Sequence, residues 1–229
     1  MTLTLVLVIM TVANIATNRL PRSYYVPVCL LGTAALLLVA WWAGLSAADL
    51  GLGRSTLTSG LLWAALCVAV VVVVYSTVAV PPRTRVFFAD RRAMDAPGTE
   101  IARRTFVDIP LGTVLLEEVA FRGVLLAVAI AEFGVGWAVV LTSLLFGLWH
   151  ILPALPMHES HEVVGSALGS GVAGRWRTVA LTVLVTAVGG VVFALLRVWT
   201  GSLLPPIGLH WALNGMGVAL AWWLAQRRS

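Results

Sequence analysis

The stretch VDIPLGTVLLEEVAFRGVLLAVAIA, residues 107–131, decides the fold of this protein. Its length suits a membrane-spanning helix, which needs about 20 mostly apolar residues. A charged side chain at the centre of a bilayer costs at least about 2.5–3.5 kcal/mol, so charges within a span require a reason. Glu117, Glu118 and Arg122 nevertheless fall close together near the middle of this one. The stretch therefore predicts a membrane helix that carries a functional polar site.

The composition of the whole chain is that of an integral membrane protein. Of its 229 residues, 60% are hydrophobic and only 11% are charged, and the mean hydropathy is +0.97. A soluble domain is about one quarter charged. The arginines cluster at the ends of apolar runs, which indicates membrane topology and excludes a nucleic-acid surface. Cys29 and Cys67 lie inside apolar runs and are predicted to be free thiols.

Seven apolar runs predict an all-α fold, a polytopic transmembrane helical bundle with about seven spans. They cover residues 2–17, 25–45, 58–80, 107–131, 134–151, 178–197 and 203–225. The first run has no basic region before it and no small-residue cleavage site, so we expect an anchor and not a signal peptide. The basic stretch 81–106, a predicted cytoplasmic loop, separates a three-span part, residues 1–80, from a four-helix core, residues 107–225.

The distribution of arginines predicts the orientation of the bundle. With seven spans, the loops on one side hold twelve arginines and the loops on the other side hold two, Arg54 and Arg197. Cytoplasmic loops carry the excess of basic residues. We therefore expect the N-terminus outside and the C-terminus in the cytoplasm, in a bacterial plasma membrane.

The ionisable residues of the fourth span do not share one helix face. Glu118 and Arg122 are four residues apart, so they can pair on one face. Glu117 is rotated by about 100° from Glu118 and points elsewhere. The spacing predicts a structural pair, Glu118 with Arg122, and leaves Glu117 free for another role.

Two further spans carry short polar stripes. The fifth contains FGLWH, in which Phe146 and His150 are four apart, and the last contains HWALN, in which His210 and Asn214 are four apart. Glycines near these residues would let neighbouring helices approach closely. We expect the stripes to converge with Glu117 in the cytoplasmic half of the membrane.

Such a cluster allows two kinds of chemistry. A carboxylate and an imidazole in a pocket of low dielectric constant can activate a water molecule, and a second His with an Asn can donate hydrogen bonds to an oxyanion. This arrangement suits hydrolysis of a peptide or ester carbonyl. Alternatively, His150, His210 and a glutamate could bind a zinc ion, with water as the fourth ligand. The spacing alone leaves both open.

Two other classes of function use the same residues. A proton- or ion-coupled transporter could employ Glu117 and the histidines as a relay, although residues 1–80 contain no matching polar set. A scaffold or immunity protein could keep the fold without catalysis. A second histidine-rich stretch, MHESHEVVG at residues 157–165, lacks the H-E-x-x-H spacing and is predicted to be a solvated loop.

The three polar stripes, taken in order, resemble the motifs of a known family. EEVAFR fits E-E-x-x-x-R, FGLWH fits F-x-x-x-H and HWALN fits H-x-x-x-N. In this, residues 107–225 resemble the CAAX-protease and bacteriocin-processing (CPBP) family, also called the Abi family of intramembrane proteases. That family includes the type II CAAX prenyl endopeptidases.

The resemblance implies a membrane-embedded peptidase with four catalytic residues. Glu117 and His150 would activate the hydrolytic water, and His210 and Asn214 would form the oxyanion site. The residues that would support them are Glu118, Arg122 and Phe146. The mechanism that we favour needs no metal, with zinc as the alternative. The expected partners are the bilayer and a membrane-associated protein or peptide substrate, lipidated or transmembrane, and no nucleic acid.

Overall fold

Most helices of the bundle bury only a small part of their surface against the others and expose a long face of apolar side chains. A computed structural model describes residues 1–88, 95–156, 169 and 171–227. Within these residues the protein contains helices and no strand. The histidine-rich stretch at 157–165 lies outside the described residues, as do Arg91, Arg92 and Arg228 from the predicted basic loops.

Seven helical elements account for most of the described chain. Helices α1 (Thr2–Arg19), α2 (Tyr25–Trp42) and α3 (Leu57–Ala79) form the first half. Helix α4 covers residues 98–133 and helix α5 residues 135–149, with a short helix, Ile151–Ala154, behind it. Helix α6 is Gly171–Thr200 and α7 covers residues 204–226. Three segments in α4 and α7 are π-helical: Arg104–Val114, Val119–Leu125 and Ala212–Met216.

Helices α4 and α5 form a hairpin that turns at Gly134. Gly134 has φ 77° and ψ 167°, a conformation that residues with a side chain rarely adopt. Phe121 contacts Phe146 and Trp149, with ring centroids 5.0 and 5.5 Å apart. Since these residues lie at similar sequence distances on either side of Gly134, the two helices must run antiparallel. The fourth and fifth predicted spans therefore lie on two antiparallel helices.

Within the described residues, length and composition alone identify five runs that could cross a membrane. They are Thr2–Arg19, Arg22–Trp42, Arg54–Ala79, Gly98–Ala154 and Gly171–Thr200. The fourth run has 57 residues and would extend about 85 Å if straight, far beyond a hydrocarbon core of about 30 Å. It can fit only because it folds back at Gly134. The all-α polytopic bundle is confirmed, and the total of seven spans stays a prediction.

Helices α1 and α2 pack directly on α4 and belong to the same core. Val6, Met10 and Ala13 of α1 lie in one buried cluster with Leu116 and Phe121 of α4. A hydrogen bond of 2.6 Å joins the hydroxyl groups of Tyr25 and Thr113. Helices α1 and α2 thus share one buried core with α4.

The two ends of the bundle match the predicted sorting of loops. At the arginine-rich end, Arg22 lies 3.5 Å from Glu100, and the Trp222 indole donates to the Ala96 carbonyl. At the opposite end, the Leu203 amide donates to the Gly51 carbonyl over 2.8 Å. These contacts place the loops after α1 and α3 together at one end, and the loops after α2 and α6 at the other.

Two sequence-based boundaries need correction. The helix that carries the glutamates begins at Gly98 rather than at residue 107, because residues 98–106 continue its turns beyond the apolar stretch. Arg197, predicted to lie in an outside turn, lies in the last turns of α6 and is buried. Its guanidinium donates to the carbonyl oxygens of Asp49 at 2.7 Å and Ala48 at 3.4 Å.

Close packing of α5 against α6 leads to a first prediction. A Cβ atom on Gly147 would lie 2.6 Å from the Val183 carbonyl oxygen and 2.9 Å from Ala187 Cβ, so Gly147→Ala must push the helices apart. We expect a loss of about 1–3 kcal/mol in the free energy of unfolding. Gly136 in the same helix has no atom within 4 Å of such a Cβ, so Gly136→Ala should be neutral. Unfolding titrations in mixed micelles measure both, and equal effects would contradict the packing.

Candidate active site

The Glu118–Arg122 pair predicted from the spacing is present and completely buried. Arg122 Nη1 donates to Glu118 Oε1 over 3.1 Å, and the two residues expose 1% and 0% of their surface. The same Glu118 oxygen lies 2.7 Å from His210 Nδ1. With an ionised carboxylate as acceptor, Nδ1 carries the proton, and Nε2 faces the other way. Glu118 thus links the guanidinium of its own helix to the imidazole of α7.

Aromatic rings enclose the Arg122 guanidinium. Its central carbon lies 3.9 Å from the centroid of the Phe146 ring and 4.7 Å from that of Phe193. A cation over an aromatic face is attracted by the ring quadrupole, most strongly where water is excluded. Phe193 also stacks on His210 at 5.4 Å with an interplanar angle of 21°. The rings therefore fix both the charge pair and the imidazole that bonds to it.

Glu117 points away from that pair, toward α5 and α7. Its Oε1 accepts a hydrogen bond of 3.0 Å from the Trp149 indole. Its Oε2 lies 3.8 Å from His210 Nε2 and 4.0 Å from His150 Nε2, and has no hydrogen-bond partner among the described residues. The structure therefore brings together one carboxylate oxygen and two imidazole nitrogens from three helices.

His150 is placed by the end of α5. That helix ends at Trp149, and His150 Nδ1 lies 2.7 Å from the Phe146 carbonyl oxygen. A carbonyl oxygen can only accept, so Nδ1 donates to it, and Nε2 is left facing Glu117. His150 lies 16 residues, or about 24 Å along the helix, from the turn at Gly134.

Asn214 is placed differently from the other predicted site residues. It lies in the π-helical segment Ala212–Met216 and is exposed, whereas His210 one turn earlier is buried. The described structure gives Asn214 no hydrogen bond to the buried cluster. The region around Asn214 is thus the part of α7 where the polar stripe reaches the surface of the bundle.

Two residues that contact the site were not predicted from the sequence. Trp149 donates a hydrogen bond to Glu117. Its position directly before His150 could have suggested this contact, since a buried indole N–H usually finds an acceptor. Phe193 contacts both His210 and Arg122, but it lies in an apolar run that offers no cue to its position.

The residue types at this site are ones that bind zinc, but the distances between their donor atoms are wider than in a zinc site. Two imidazoles and a carboxylate are ligands that zinc accepts. Zinc–ligand bonds of about 2.0–2.2 Å would place neighbouring ligand atoms of a tetrahedral site about 3.3–3.5 Å apart. The distances from Glu117 Oε2 to the two imidazole nitrogens, 3.8 and 4.0 Å, are wider. Among the described residues, no three His, Cys, Asp or Glu side chains are grouped to hold a metal ion.

These features define a helical integral membrane protein with a buried carboxylate–imidazole cluster. Residues 104–216, about half of the chain, match the family model described as type II CAAX prenyl endopeptidase Rce1-like. No curated protein and no solved structure matches the chain. Through residues 104–216 the chain belongs to the CAAX-protease (CPBP) family of intramembrane peptidases. The matched segment begins in α4 and ends in α7, so it includes all three polar stripes.

Proposed function

We propose that the protein is an intramembrane endopeptidase in which Glu117 activates water to hydrolyse a peptide bond. The observation that carries the proposal is the position of Glu117 Oε2, buried and facing two imidazole nitrogens at 3.8 and 4.0 Å. The membership of residues 104–216 in a peptidase family supports the same activity.

The geometry around Glu117 suits a water molecule. A water about 2.8 Å from Oε2 can also hydrogen bond to a nitrogen that lies 3.8–4.0 Å from that oxygen. Glu117 would take a proton from this water as its oxygen attacks the scissile carbonyl carbon, with His150 helping to orient the water. The C–N bond then breaks, and the proton passes to the leaving amine. Since Trp149 occupies Oε1, Oε2 is the oxygen left to act as base.

His210 and Asn214 would stabilise the oxyanion of the tetrahedral intermediate. His210 can donate from Nε2 when both of its nitrogens carry protons, and the Glu118 carboxylate holds the ring in place through Nδ1. Asn214 lies on the next turn toward the surface of the bundle, where a substrate carbonyl would arrive. Glu118, Arg122 and Phe146 would hold His210 in place through the bonds and ring contacts described above.

The proposed reaction needs no metal, and this leads to a second prediction. Purified protein treated with EDTA and 1,10-phenanthroline should retain its cleavage rate within about twofold, because Glu117 alone supplies the base. Metal analysis of the purified protein serves as the companion measurement. Stoichiometric zinc that disappears in His210→Ala, together with loss of activity on chelation, would contradict the metal-free mechanism.

We further propose an orientation in a bacterial plasma membrane, with the N-terminus outside and the C-terminus in the cytoplasm. It is supported by the Arg22–Glu100 contact, which brings arginine-bearing segments together at one end of the bundle. The catalytic unit would be residues 107–225, with 81–106 as a cytoplasmic loop. In intact cells, a cysteine introduced at Arg83 should not react with a membrane-impermeant thiol reagent added to the medium. Labelling at this position would show that the orientation is the opposite one.

A membrane-embedded site suits a substrate that reaches it from the bilayer. We propose a lipidated or transmembrane protein or peptide, and the matched family makes a prenylated C-terminal peptide the first probe to use. Purified protein in liposomes should cleave a quenched fluorescent peptide that ends in a farnesylated Cys-aliphatic-aliphatic-X sequence. If neither this peptide nor the membrane proteins of an expressing cell are cleaved, the proposed function is wrong.

A further inference from the structure

We propose that Asn14 of α1 is a positioning residue for the catalytic pair Glu117–His150. The inference rests on the proposed function and extends its site to a helix outside the matched segment 104–216. Asn14 is buried in the bundle, with 8% of its surface exposed, and its side-chain amide donates to the Trp149 carbonyl oxygen over 2.9 Å.

The Trp149 carbonyl needs this bond because its own helix cannot supply one. In a continuing α-helix the donor would be the amide of the residue four positions later. That residue is Pro153, which has no N–H. A carbonyl without a donor is costly within a membrane-embedded bundle, where water is scarce. Asn14 therefore caps the end of α5 from a different helix.

The capped turn is the one that aims two side chains at Glu117. Trp149 donates to Glu117 Oε1, and His150, the next residue, faces Oε2. His150 is held from one side by the Phe146 carbonyl, within α5 itself. The Asn14 bond ties this turn to α1, which itself packs on α4. It adds to the direct contacts that Trp149 makes with Glu117 and Phe121 of α4.

Loss of the Asn14 bond should move this turn without removing any catalytic group. Asn14→Leu keeps the approximate size of the side chain but removes the donor. Since a misplacement of about 1 Å can cost about 100-fold in rate, we expect kcat to fall about 10- to 100-fold with KM nearly unchanged. Asn14→Gln retains an amide donor and should restore kcat to within about fivefold of the wild-type value.

A matched control lies one turn away on the same helix. Asn18 is exposed, and its amide donates to the Asn14 carbonyl within α1 and to the neighbouring Thr17 hydroxyl. Asn18→Leu should therefore leave kcat and KM unchanged. The same comparison can be made without activity by hydrogen–deuterium exchange, where Asn14→Leu should accelerate exchange of residues 147–154 and Asn18→Leu should not.

The experiment measures both readouts on full-length protein in liposomes, with the farnesylated peptide as probe and Glu117→Gln beside the Asn14 variants. A fall in kcat and faster exchange at 147–154, with rescue by Asn14→Gln, support the inference. If Glu117→Gln is inactive while Asn14→Leu keeps the wild-type kcat, or changes only KM, the inference is wrong and the proposed function stands. If Glu117→Gln cleaves as fast as the wild type, the proposed function fails and the inference fails with it.

Discussion

Glu117→Gln is expected to lower kcat for peptide cleavage by about 10²- to 10⁴-fold, the range that general acid–base groups contribute. Glutamine keeps the shape of the side chain and an oxygen that can accept from the Trp149 indole, so the fold and KM should change little. What it lacks is a carboxylate that can take a proton from water. The loss should therefore appear in kcat, measured with purified protein in liposomes.

Glu132→Gln provides the control for this substitution. Glu132 lies in the same helix, close to the turn at Gly134, and is exposed at the end of the bundle away from the histidines. The same chemical change there should leave kcat and KM at wild-type values. If both variants lose activity equally, or neither does, Glu117 has no special role.

Arg122→Met is expected to cause the largest loss of stability. It removes one partner of a buried pair and leaves the Glu118 carboxylate, with none of its surface exposed, without the charge that neutralises it. Removal of one partner from a buried ion pair costs about 3–5 kcal/mol. The loss of the ring contacts with Phe146 and Phe193 acts in the same direction. We expect the unfolding midpoint in sodium dodecyl sulfate to fall sharply.

The stability measurement can use the natural cysteines. Cys29 is buried and free, so its reaction with a thiol dye reports unfolding in a Cys67→Ser background. Arg22→Met is the control, since its exposed side chain makes a surface pair with Glu100 that is worth less than about 1 kcal/mol. Adding Glu118→Gln to Arg122→Met removes the stranded charge and should recover part of the loss. Equal effects of Arg122→Met and Arg22→Met would contradict the account.

The sequence predicted the parts of the site that depend on spacing within one helix. Glu118 and Arg122 pair because residues four apart share a helix face. Glu117 points in another direction because consecutive residues are about 100° apart around the helix axis. The fold class followed from hydrophobic length, since a chain with this composition can satisfy its backbone in a bilayer only as helices or a closed barrel.

Contacts between helices could not be read from the same patterns. The Asn14–Trp149 bond and the stacking of Phe193 on His210 depend on how helices rotate and tilt against each other. The exposure of Asn214 is of the same kind, because a four-residue spacing from His210 does not say how deeply either residue is buried. The continuation of α4 back to Gly98 was missed because its first turns are polar.

Quantitative proteomics of membranes is the most direct measurement of the central claim, that Glu117 drives proteolysis of a membrane substrate. Cells expressing the wild-type protein, Glu117→Gln or Glu132→Gln at equal levels would be compared by labelling of new protein termini. At least one membrane-associated fragment is expected with the wild type and Glu132→Gln but not with Glu117→Gln, where the uncleaved precursor should accumulate. Identical sets of termini in all three membranes would contradict the claim.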